Sequence, residues 1–334
     1  MKAGLFEAAG VASANMVQIA GDIAAVEKQL RHQAHSEVET VEKVLRHTLD
    51  AGGKRLRPVF LILSAKATGR DFEVSRAVEL GACMEMIHMA TLIHDDVIDE
   101  SATRRGRATA SSVYGNTASI LSGDFFLAKA MAVLAADGDI EIIRTASRMV
   151  VEMAEGEARE VEIRGNFELG RDDHLRILRM KTAAFVECCC MIGGMMAGAE
   201  SELVDALAVY GHHLGIAFQI ADDMLDFRGQ SSLTGKPKAT DFRESCATLP
   251  LIELRPQLTS DETDFVRKAF LNGASEEELS TIILWMSERG SFDESIKLAQ
   301  EHLDLALGAL DRLPPTTHRE LLRAAGRFVL QRKA

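Results

Sequence analysis

The placement of proline constrains this fold more than any other feature of the sequence. All six prolines lie at positions 58, 237, 250, 256, 314 and 315, so residues 59–236 contain none. A proline inside a helix removes a backbone hydrogen bond and clashes with the preceding turn. The proline-free stretch is rich in Ala, Leu, Met, Glu and Arg, which favour helix. It also lacks hairpin turns between alternating runs and any strand–helix rhythm. The sequence therefore predicts a nearly all-helical chain.

Apolar periodicity and end signals place the predicted helices. They run near 16–34, 37–50, 58–68, 73–98, 118–135, 139–164, 172–198, 202–228, 246–255, 262–272, 276–289, 292–311 and 317–331. Residues 36–39 and 275–278 match the capping-box pattern, and Pro58 suits a first helical turn. The segments 73–98 and 202–228 are apolar over most of their surface, which is typical of helices at the centre of a bundle.

We expect one helical domain over residues 16–334, preceded by an N-terminal extension over residues 1–15. Glu7 interrupts the short apolar stretch of that extension, so a signal peptide is not expected. The chain has no run of 18 apolar residues without a charge, which predicts no membrane span. A formal net charge of −12 argues against non-specific binding to nucleic acid or to anionic membranes.

The five cysteines do not form a metal-binding pattern. They are Cys83, Cys188, Cys189, Cys190 and Cys246, and none lies in C-x-x-C spacing. Consecutive residues on a helix point about 100° apart, so the run of three cannot converge on one metal ion. We expect small buried side chains in a reducing cytoplasm.

Two aspartate motifs with the same spacing end the two apolar segments. Asp95, Asp96 and Asp99 form the first D-D-x-x-D, and Asp222, Asp223 and Asp226 form the second. Residues four apart share a helix face, so the carboxylates are crowded together and repel. A single motif of this kind is compatible with a solvated helix face. Because the pattern occurs twice, we favour a bound cation: oxygen ligands suit Mg²⁺ that carries a phosphate-bearing substrate.

Cations cluster near both motifs. The segment GGKRLRP at 52–58 combines glycines with three cations before a helix start, which suits an anion-binding site. A helix entry with solvated cations would look similar. A second cluster is RRGR at 104–107, and Arg can bind phosphate through two hydrogen bonds. Lys181 and Thr182 lie within an apolar helix, where a lysine needs a partner.

In this order the motifs resemble the trans-isoprenyl (polyprenyl) diphosphate synthase family. The matching pieces are GGKRLRP at 52–58, HDDVIDE at 94–100, RRG at 104–106, GDFFLAKA at 123–130, EGE at 155–157, KTA at 181–183, AFQIADDMLD at 217–226, GK at 235–236 and TLPLI at 248–252. The resemblance implies an all-α isoprenoid synthase-type helical bundle around a deep central cavity, and a cytoplasmic homodimer. It is strongest with octaprenyl-, solanesyl- and decaprenyl-type enzymes or with geranylgeranyl diphosphate synthases.

The resemblance also implies a Mg²⁺-dependent prenyl transfer in which isopentenyl diphosphate adds head to tail (1′-4) to farnesyl, geranyl or dimethylallyl diphosphate. Two or three Mg²⁺ ions would be held by Asp95, Asp96, Asp99, Asp222, Asp223 and Asp226. The allylic diphosphate would contact Arg104, Lys181, Thr182 and Gln219, and isopentenyl diphosphate would contact Gly53, Lys54, Arg57, His88 and Arg105. Lys236, in the polar connection 229–248, belongs to the expected substrate-binding set and to a flap that follows the second motif. Asp95, Asp96, Asp99, Lys181 and Asp222 would carry the catalysis.

Product length is expected to depend on the residues just before the first motif. Ala90 and Thr91 are small where short-chain members place an aromatic residue, and Ile87 lies one turn deeper. Phe125 and Phe126 could form the floor instead. We therefore expect a medium- or long-chain product, with a geranylgeranyl (C20) or farnesyl diphosphate synthase as the alternative.

The sequence departs from the family pattern after the second motif. Cys246 stands where a lysine helps to bind the allylic diphosphate, Ala239 replaces a glycine, and Glu160 stands where glutamine is common. Lys238 or Arg243 could supply the missing charge. The departure keeps open a non-catalytic partner subunit of a heteromeric synthase.

The motifs allow four other readings. A terpene cyclase or a head-to-head synthase would not explain GGKRLRP. The pair Glu85 and His88 has the E-x-x-H spacing of a di-iron site, but the sequence holds only one such pair, and a buried core histidine is a further alternative.

Overall fold

The computed structural model describes residues 13–228 and 238–331. In chain order the α-helices are α1 Ser13–Gln33, α2 Glu39–Asp50, α3 Leu56–Ala67, α4 Val74–Ile98, α5 Ala110–Tyr114, α6 Asn116–Asp137, α7 Ile140–Ile163, α8 Arg171–Leu178, α9 Ala184–Met196, α10 Ser201–Arg228, α11 Thr240–Arg243, α12 Leu249–Leu254, α13 Ser260–Asn272, α14 Glu276–Glu288, α15 Ser291–Ala309 and α16 Thr317–Gln331. A π-helical turn, Arg179–Ala183, joins α8 to α9, and 3₁₀ turns occupy Arg255–Gln257 and Leu310–Arg312. The prediction of an all-α fold is confirmed.

Strand structure in the described residues is confined to one small hairpin. Strands β1 (Thr103–Arg104) and β2 (Arg107–Ala108) pair antiparallel. Arg105 and Gly106 between them have φ values of 53° and 74°, the left-handed pair that a tight two-residue hairpin turn requires. This turn was not predicted, because arginine is not a usual residue at its first position. The short helices α5 and α11 were also not predicted.

The helix ends agree with prediction in part. Ser275 and Glu278 form the predicted capping box at α14, and Thr259 and Glu262 form one at α13 that was not predicted. The capping box predicted for residues 36–39 is wrong. There Val38 is the N-cap residue and Ser36 Oγ accepts from the Val38 amide at 3.1 Å, so the hydroxyl does not reach the third residue of the helix.

The described chain groups into two compact units. Unit 1 contains residues up to 147 together with 188–208 and 310–325, and unit 2 contains 148–187, 209–309 and 326 onward. Within unit 1, α4 packs against α1, α3 and α6. About half of its residues are buried, including Glu85 and Asp96. The apolar surface of 73–98 thus places this helix at the centre of unit 1, as predicted.

Within unit 2, glycine allows α10 to approach the π-helical turn closely. A Cβ atom on Gly215 would lie 2.5 Å from the Ala183 Cα atom, and one on Gly211 would lie 2.6 Å from the Glu187 Cα atom. Any side chain at these two positions would push the helices apart. The second aspartate motif therefore lies on a helix whose backbone directly contacts the segment that carries Lys181 and Thr182.

One helix among the described residues is long and apolar enough to cross a membrane by length and composition, namely α6. Core helices of soluble proteins meet the same criterion. The expectation that the chain has no membrane span stays a prediction, as does the domain boundary at residues 15 and 16.

Candidate active site

The first aspartate motif ends α4, and its three carboxylates are not equivalent. Asp96 is 6% exposed and its Oδ1 accepts a hydrogen bond from Arg104 Nε at 2.7 Å. Asp95 and Asp99 are half-buried. Because they are four residues apart they share a face of the helix. We infer that Asp95 and Asp99 present their carboxylates for metal binding, whereas Asp96 orients Arg104.

Two arginines of the hairpin that follows α4 contact the loop before α3. Arg105 donates to the carbonyl of Gly52, and Arg107 Nη1 donates to the carbonyl of Asp50 at 2.7 Å. A Cβ atom on Gly53 would lie 2.9 Å from Arg105 Nη1 and 3.0 Å from Arg55 Nη1. A larger residue at position 53 would separate the two guanidinium groups. The loop and the hairpin, far apart in sequence, therefore form one cationic surface.

Arg55 anchors the loop before α3 through two ion pairs. It is 5% exposed and is the N-cap residue of α3, with the left-handed φ of 50°. Its guanidinium donates to Glu27 Oε1 at 2.6 Å and to Glu85 Oε1 at 3.0 Å. Burial raises the pKa of Glu85, although the charges of Arg55 and Arg57 oppose this effect. Sequence reasoning missed Arg55, since it has the same charge as the two flanking residues that were singled out.

His88 lies one turn after Glu85 on α4. Burial lowers its pKa well below the usual range, and the charges of Arg57, Arg105, Arg104 and Arg55 lower it further. The imidazole is therefore neutral and surrounded by cations, an environment that favours a bound anion. Glu85 is bound by Arg55, and no group of three His, Cys, Asp or Glu residues in the described parts of the chain could hold a metal ion. The di-iron alternative has no support.

The second aspartate motif ends α10 in unit 2. Asp222 and Asp226 are half-buried, while Asp223 is 3% exposed. Asp223 Oδ1 accepts from Gln219 Nε2 at 3.1 Å, and Asp223 Oδ2 bonds His174 Nε2 at 3.0 Å. Both oxygens of Asp223 thus have partners within the protein. Asp222 and Asp226 lie four residues apart, share a face of α10 and are more exposed than Asp223, so we infer that they are the metal-binding members of this motif.

A further carboxylate, that of Asp241, lies beside the second motif. The backbone amide of Asp241 donates to Asp226 Oδ2 at 3.0 Å. Burial raises the pKa of the Asp241 carboxyl well above its usual value, and the charges of Asp226, Asp223 and Glu160 add to this. Ala239, which replaces the glycine of the family pattern, adopts a left-handed φ of 50°. A residue with a Cβ atom therefore occupies a backbone conformation that favours glycine.

Lys181 lies in the π-helical turn and is paired with two glutamates. Its Nζ atom is 2.8 Å from Glu157 Oε2 and 2.8 Å from Glu160 Oε1. Burial lowers the pKa of Lys181, but the carboxylates of Glu160 and Glu157 outweigh it and the net shift is upward. The lysine is therefore charged. The two glutamates are the partners that a lysine in an apolar helix needs.

Cys246 supplies no charge at its position. Burial raises the pKa of its thiol to about 12, and the nearby carboxylates of Glu160 and Asp241 add to the shift, while Arg164 opposes it. Arg243 donates to Glu276 Oε1 at 2.6 Å and to two backbone carbonyls. Its charge is therefore paired with that of Glu276. Lys238 is exposed, and Lys236 lies outside the described residues.

The residues expected to set product length lie along one stretch of α4. Ile87 and Ala90 are buried, and Thr91 is half-buried with its hydroxyl bonded to the carbonyl of His88 at 2.8 Å. Of the two alternative floor residues, Phe126 is fully buried. Phe125 is half-buried beneath the Lys129 ammonium, which lies 5.4 Å from the ring centroid.

The predicted site residues thus fall into two groups. Unit 1 contains the first aspartate motif and the predicted diphosphate-binding residues from the loop before α3, from α4 and from the hairpin: Gly53, Lys54, Arg57, His88, Arg104 and Arg105. Unit 2 brings together the second motif, Lys181, Thr182 and Gln219. That the two motifs share one metal site stays a prediction.

The comparisons with known proteins agree on one family. Residues 38–284 match the Polyprenyl synthetase family model. The octaprenyl diphosphate synthase of Escherichia coli (strain K12) is 34% identical over 313 residues, which cover 94% of this chain and 96% of that protein. Heptaprenyl diphosphate synthase component 2 of Geobacillus stearothermophilus is 33% identical over 315 residues, 94% of this chain and 97% of that protein.

The fold is also shared with solved structures. A polyprenyl synthase from Caulobacter crescentus CB15, crystallised with calcium and isoprenyl diphosphate, matches with a TM-score of 0.89 and 32% identity over 94% of this chain and 95% of that one. With aspartate motifs and basic clusters as described above, and a family match over most of its length, the chain belongs to the polyprenyl synthetase family and is a prenyltransferase.

Proposed function

We propose that this prenyltransferase adds isopentenyl diphosphate head to tail to an allylic diphosphate and releases an all-trans polyprenyl diphosphate of medium to long chain. The observation that carries the proposal is the cationic surface of unit 1, where Arg57, Arg104 and Arg105 surround a neutral His88 next to the first aspartate motif. Relatives named as octaprenyl diphosphate synthase and as a heptaprenyl diphosphate synthase component support the product length. Farnesyl, geranyl and dimethylallyl diphosphate are the candidate primers.

Magnesium fits the residues that the two motifs present. Mg²⁺ binds proteins through one or two carboxylates, keeps several waters and takes its other ligands from substrate phosphates. Asp95 with Asp99, and Asp222 with Asp226, offer such pairs without a three-residue cage. Bound there, two or three Mg²⁺ ions would neutralise the negative charge that builds up on a departing diphosphate. The relative that binds calcium and isoprenyl diphosphate supports a divalent ion at this kind of site.

Side chains of the protein would bind the two diphosphate groups directly. Arg57, Arg105 and His88 are suited to hold the diphosphate of isopentenyl diphosphate, and Arg104 is held ready by Asp96. Lys181 is charged and can exchange a glutamate partner for a diphosphate oxygen. Fixed cations of this kind stabilise a leaving group by preorganised electrostatics. No covalent nucleophile is needed, and exclusion of water protects the allylic cation.

The decisive experiment incubates the purified chain with Mg²⁺, radiolabelled isopentenyl diphosphate and each of the three primers, followed by chain-length analysis of the products. We expect products longer than C20. Matched reactions with EDTA, or with Asp95→Asn, are expected to lose most turnover. A C15 or C20 product would identify the short-chain alternative, and a folded chain without turnover would contradict the proposal.

A second candidate is a subunit of a heteromeric synthase. It is favoured by the 33% identity to a relative named as component 2 of a heptaprenyl diphosphate synthase. The complete aspartate motifs argue against a subunit without catalytic residues. Turnover by the purified chain alone distinguishes the two candidates.

We further propose that the chain works as a cytoplasmic homodimer. Val113, Ile120 and Leu121 around the start of α6 are 50%, 41% and 57% exposed, and apolar side chains exposed together are typical of an interface. Free cysteines in the described structure are consistent with a reducing compartment. Sedimentation analysis tests the dimer, and Leu121→Asp is expected to shift it to monomer.

A further inference from the structure

A hydrogen-bonded chain of four side chains connects the buried His174 of α8 to Thr182 in the π-helical turn. His174 Nε2 bonds Asp223 Oδ2 at 3.0 Å, Gln219 Nε2 donates to Asp223 Oδ1 at 3.1 Å, and Thr182 Oγ1 donates to Gln219 Oε1 at 3.0 Å. His174 and Asp223 are 4% and 3% exposed, while Gln219 and Thr182 are half-buried. The chain therefore begins in the core of unit 2 and ends at two residues expected to contact the allylic substrate.

The direction of each bond follows from the carboxylate. An ionised carboxylate only accepts hydrogen bonds, so both His174 and Gln219 must present N–H groups to Asp223. The Gln219 amide is then oriented with its oxygen toward Thr182. The single hydroxyl proton of Thr182 is used by that oxygen. The bonds of this chain therefore leave the second N–H of Gln219 and the lone pairs of Thr182 for other contacts.

We propose that His174 is a positioning residue of the prenyl transfer reaction, which holds Asp223 and through it fixes the amide orientation of Gln219 that the allylic diphosphate meets. The inference rests on the proposed function. The Gln219 N–H is a donor that suits a diphosphate oxygen, whereas the opposite amide orientation would present an oxygen and repel it. Without His174, the carboxylate of Asp223 loses one of its two partners and can rotate, and Gln219 is no longer held in one orientation.

The proposal explains two features of the site together. Asp223 is the most buried member of the second motif, and its two oxygens bond His174 and Gln219, which accounts for its burial. His174 lies seven residues before Lys181 and was not predicted as a functional residue. His174 lies three and four residues before Ile177 and Leu178 and shares the buried face of α8 with them, and a histidine at this apolar spacing is the sequence signal that could have identified it.

The test compares His174→Leu, which removes the N–H donor, with His174→Gln, whose amide can place an N–H at a similar distance from Asp223. We expect His174→Leu to raise the KM for the allylic diphosphate about tenfold, while the KM for isopentenyl diphosphate stays within about twofold of the wild-type value. We expect His174→Gln to restore the allylic KM to within about threefold of wild type. The melting temperature of each variant is measured alongside.

Each outcome decides the proposal. An equal rise of both KM values, or a lower melting temperature with an unchanged allylic KM, would show that His174 is only structural. Failure of His174→Gln to restore the allylic KM would also overturn it. If His174→Leu does not fold, His174→Met carries the same expectation, because it fills the space without a donor. Absence of turnover in the wild-type chain would contradict the proposed function instead, since it is measured before any variant.

Discussion

Gly123 of α6 leaves the space that the imidazole of His94 occupies. A Cβ atom at position 123 would lie 2.7 Å from His94 Cδ2, closer than real Cβ atoms approach other atoms, and 3.0 Å from Cε1. The ring Nε2 atom of His94 lies 3.2 Å from the carbonyl oxygen of Ile120 and 3.4 Å from Asp124 Oδ1. His94 immediately precedes Asp95, so α6 holds the start of the first aspartate motif in place.

Gly123→Ala is therefore expected to lower kcat at least tenfold. The added methyl group displaces the His94 ring, and we expect Asp95, the next residue, to shift with it; displacements of about 1 Å in an active site cost on the order of a hundredfold in rate. Steady-state kinetics at saturating Mg²⁺ measures the effect. The matched control is Gly21→Ala on α1, where no atom lies within 4 Å of the added methyl group. Equal kcat values for both variants would contradict the role assigned to Gly123.

Arg55→Ala is expected to destabilise the protein strongly. Removing one partner of a buried ion pair costs about 3–5 kcal/mol, because the other charge stays buried. Glu85, 2% exposed, would be left without its bond to Arg55. Urea unfolding measures the change. Arg31→Ala is the control, since Arg31 and Asp50 form a pair with side chains 50% and 55% exposed, for which about 0–1 kcal/mol is expected. Similar losses in the two variants would refute the distinction.

The stability of the protein is expected to fall below pH 6.5 because of a histidine pair in unit 2. His213 Nδ1 lies 2.9 Å from His302 Nδ1. Burial lowers the pKa of His213 to about 4, helped by His212 and His302 and opposed by Glu187, and burial likewise lowers the pKa of His302. The unfolded chain takes up protons as the pH falls from about 6.5 toward 4, whereas the folded chain does not.

The contribution of His213 and His302 to the free energy of unfolding should therefore be constant above pH 6.5. It should decrease as the pH falls from 6.5 to 4. Urea unfolding at several pH values measures this slope. His213→Gln removes one titrating group and is expected to flatten the slope relative to wild type. Parallel slopes for the two proteins would argue against the assignment.

Ala90→Phe is expected to shorten the product. Ala90 is 2% exposed on α4, and a growing chain needs roughly one helical turn, about 5.4 Å, for each added isoprene unit. A ring at this position would fill the path and end growth early. Product chain length is measured as for the wild type, with Glu79→Phe on an exposed position of the same helix as control. An unchanged length distribution would remove Ala90 from the set of length-determining residues.

Cys246→Lys is expected to lower the KM for the allylic diphosphate several-fold. The new ammonium group would lie near Glu160, Asp241 and Glu244, the carboxylates that act on the Cys246 thiol, and would add a cation to a site that binds an anion. Cys246→Met, of similar length without charge, is the control. If the lysine variant binds the allylic diphosphate no better than the methionine variant, Cys246 does not weaken the binding of this substrate.

The sequence predicted the helical architecture because its signals are local. Apolar periodicity placed α4 and α10 within one residue of their observed bounds. The same reasoning recognised the aspartate motifs and the basic clusters, since residue type and spacing alone identify them.

The remaining site features depend on contacts between distant residues. The pairing of Lys181 with Glu157 and Glu160, and the position of Asp241 beside Asp226, arise only when helices pack. The different roles of Asp95 and Asp96 depend on the hairpin that delivers Arg104. Such contacts have no local sequence signal, so patterns along the chain could not reveal them.

The π-helical turn at Arg179–Ala183 has a consequence for length variation in this chain. A π turn amounts to one extra residue inserted into an α-helix. Deleting any residue from this turn would allow α8 to continue into α9 as one regular helix, and would rotate His174 by about 100° relative to the residues that follow. The hydrogen-bonded chain from His174 to Thr182 requires the present spacing. A gap placed between these two residues in an alignment would therefore mark a relative whose allylic site is built differently.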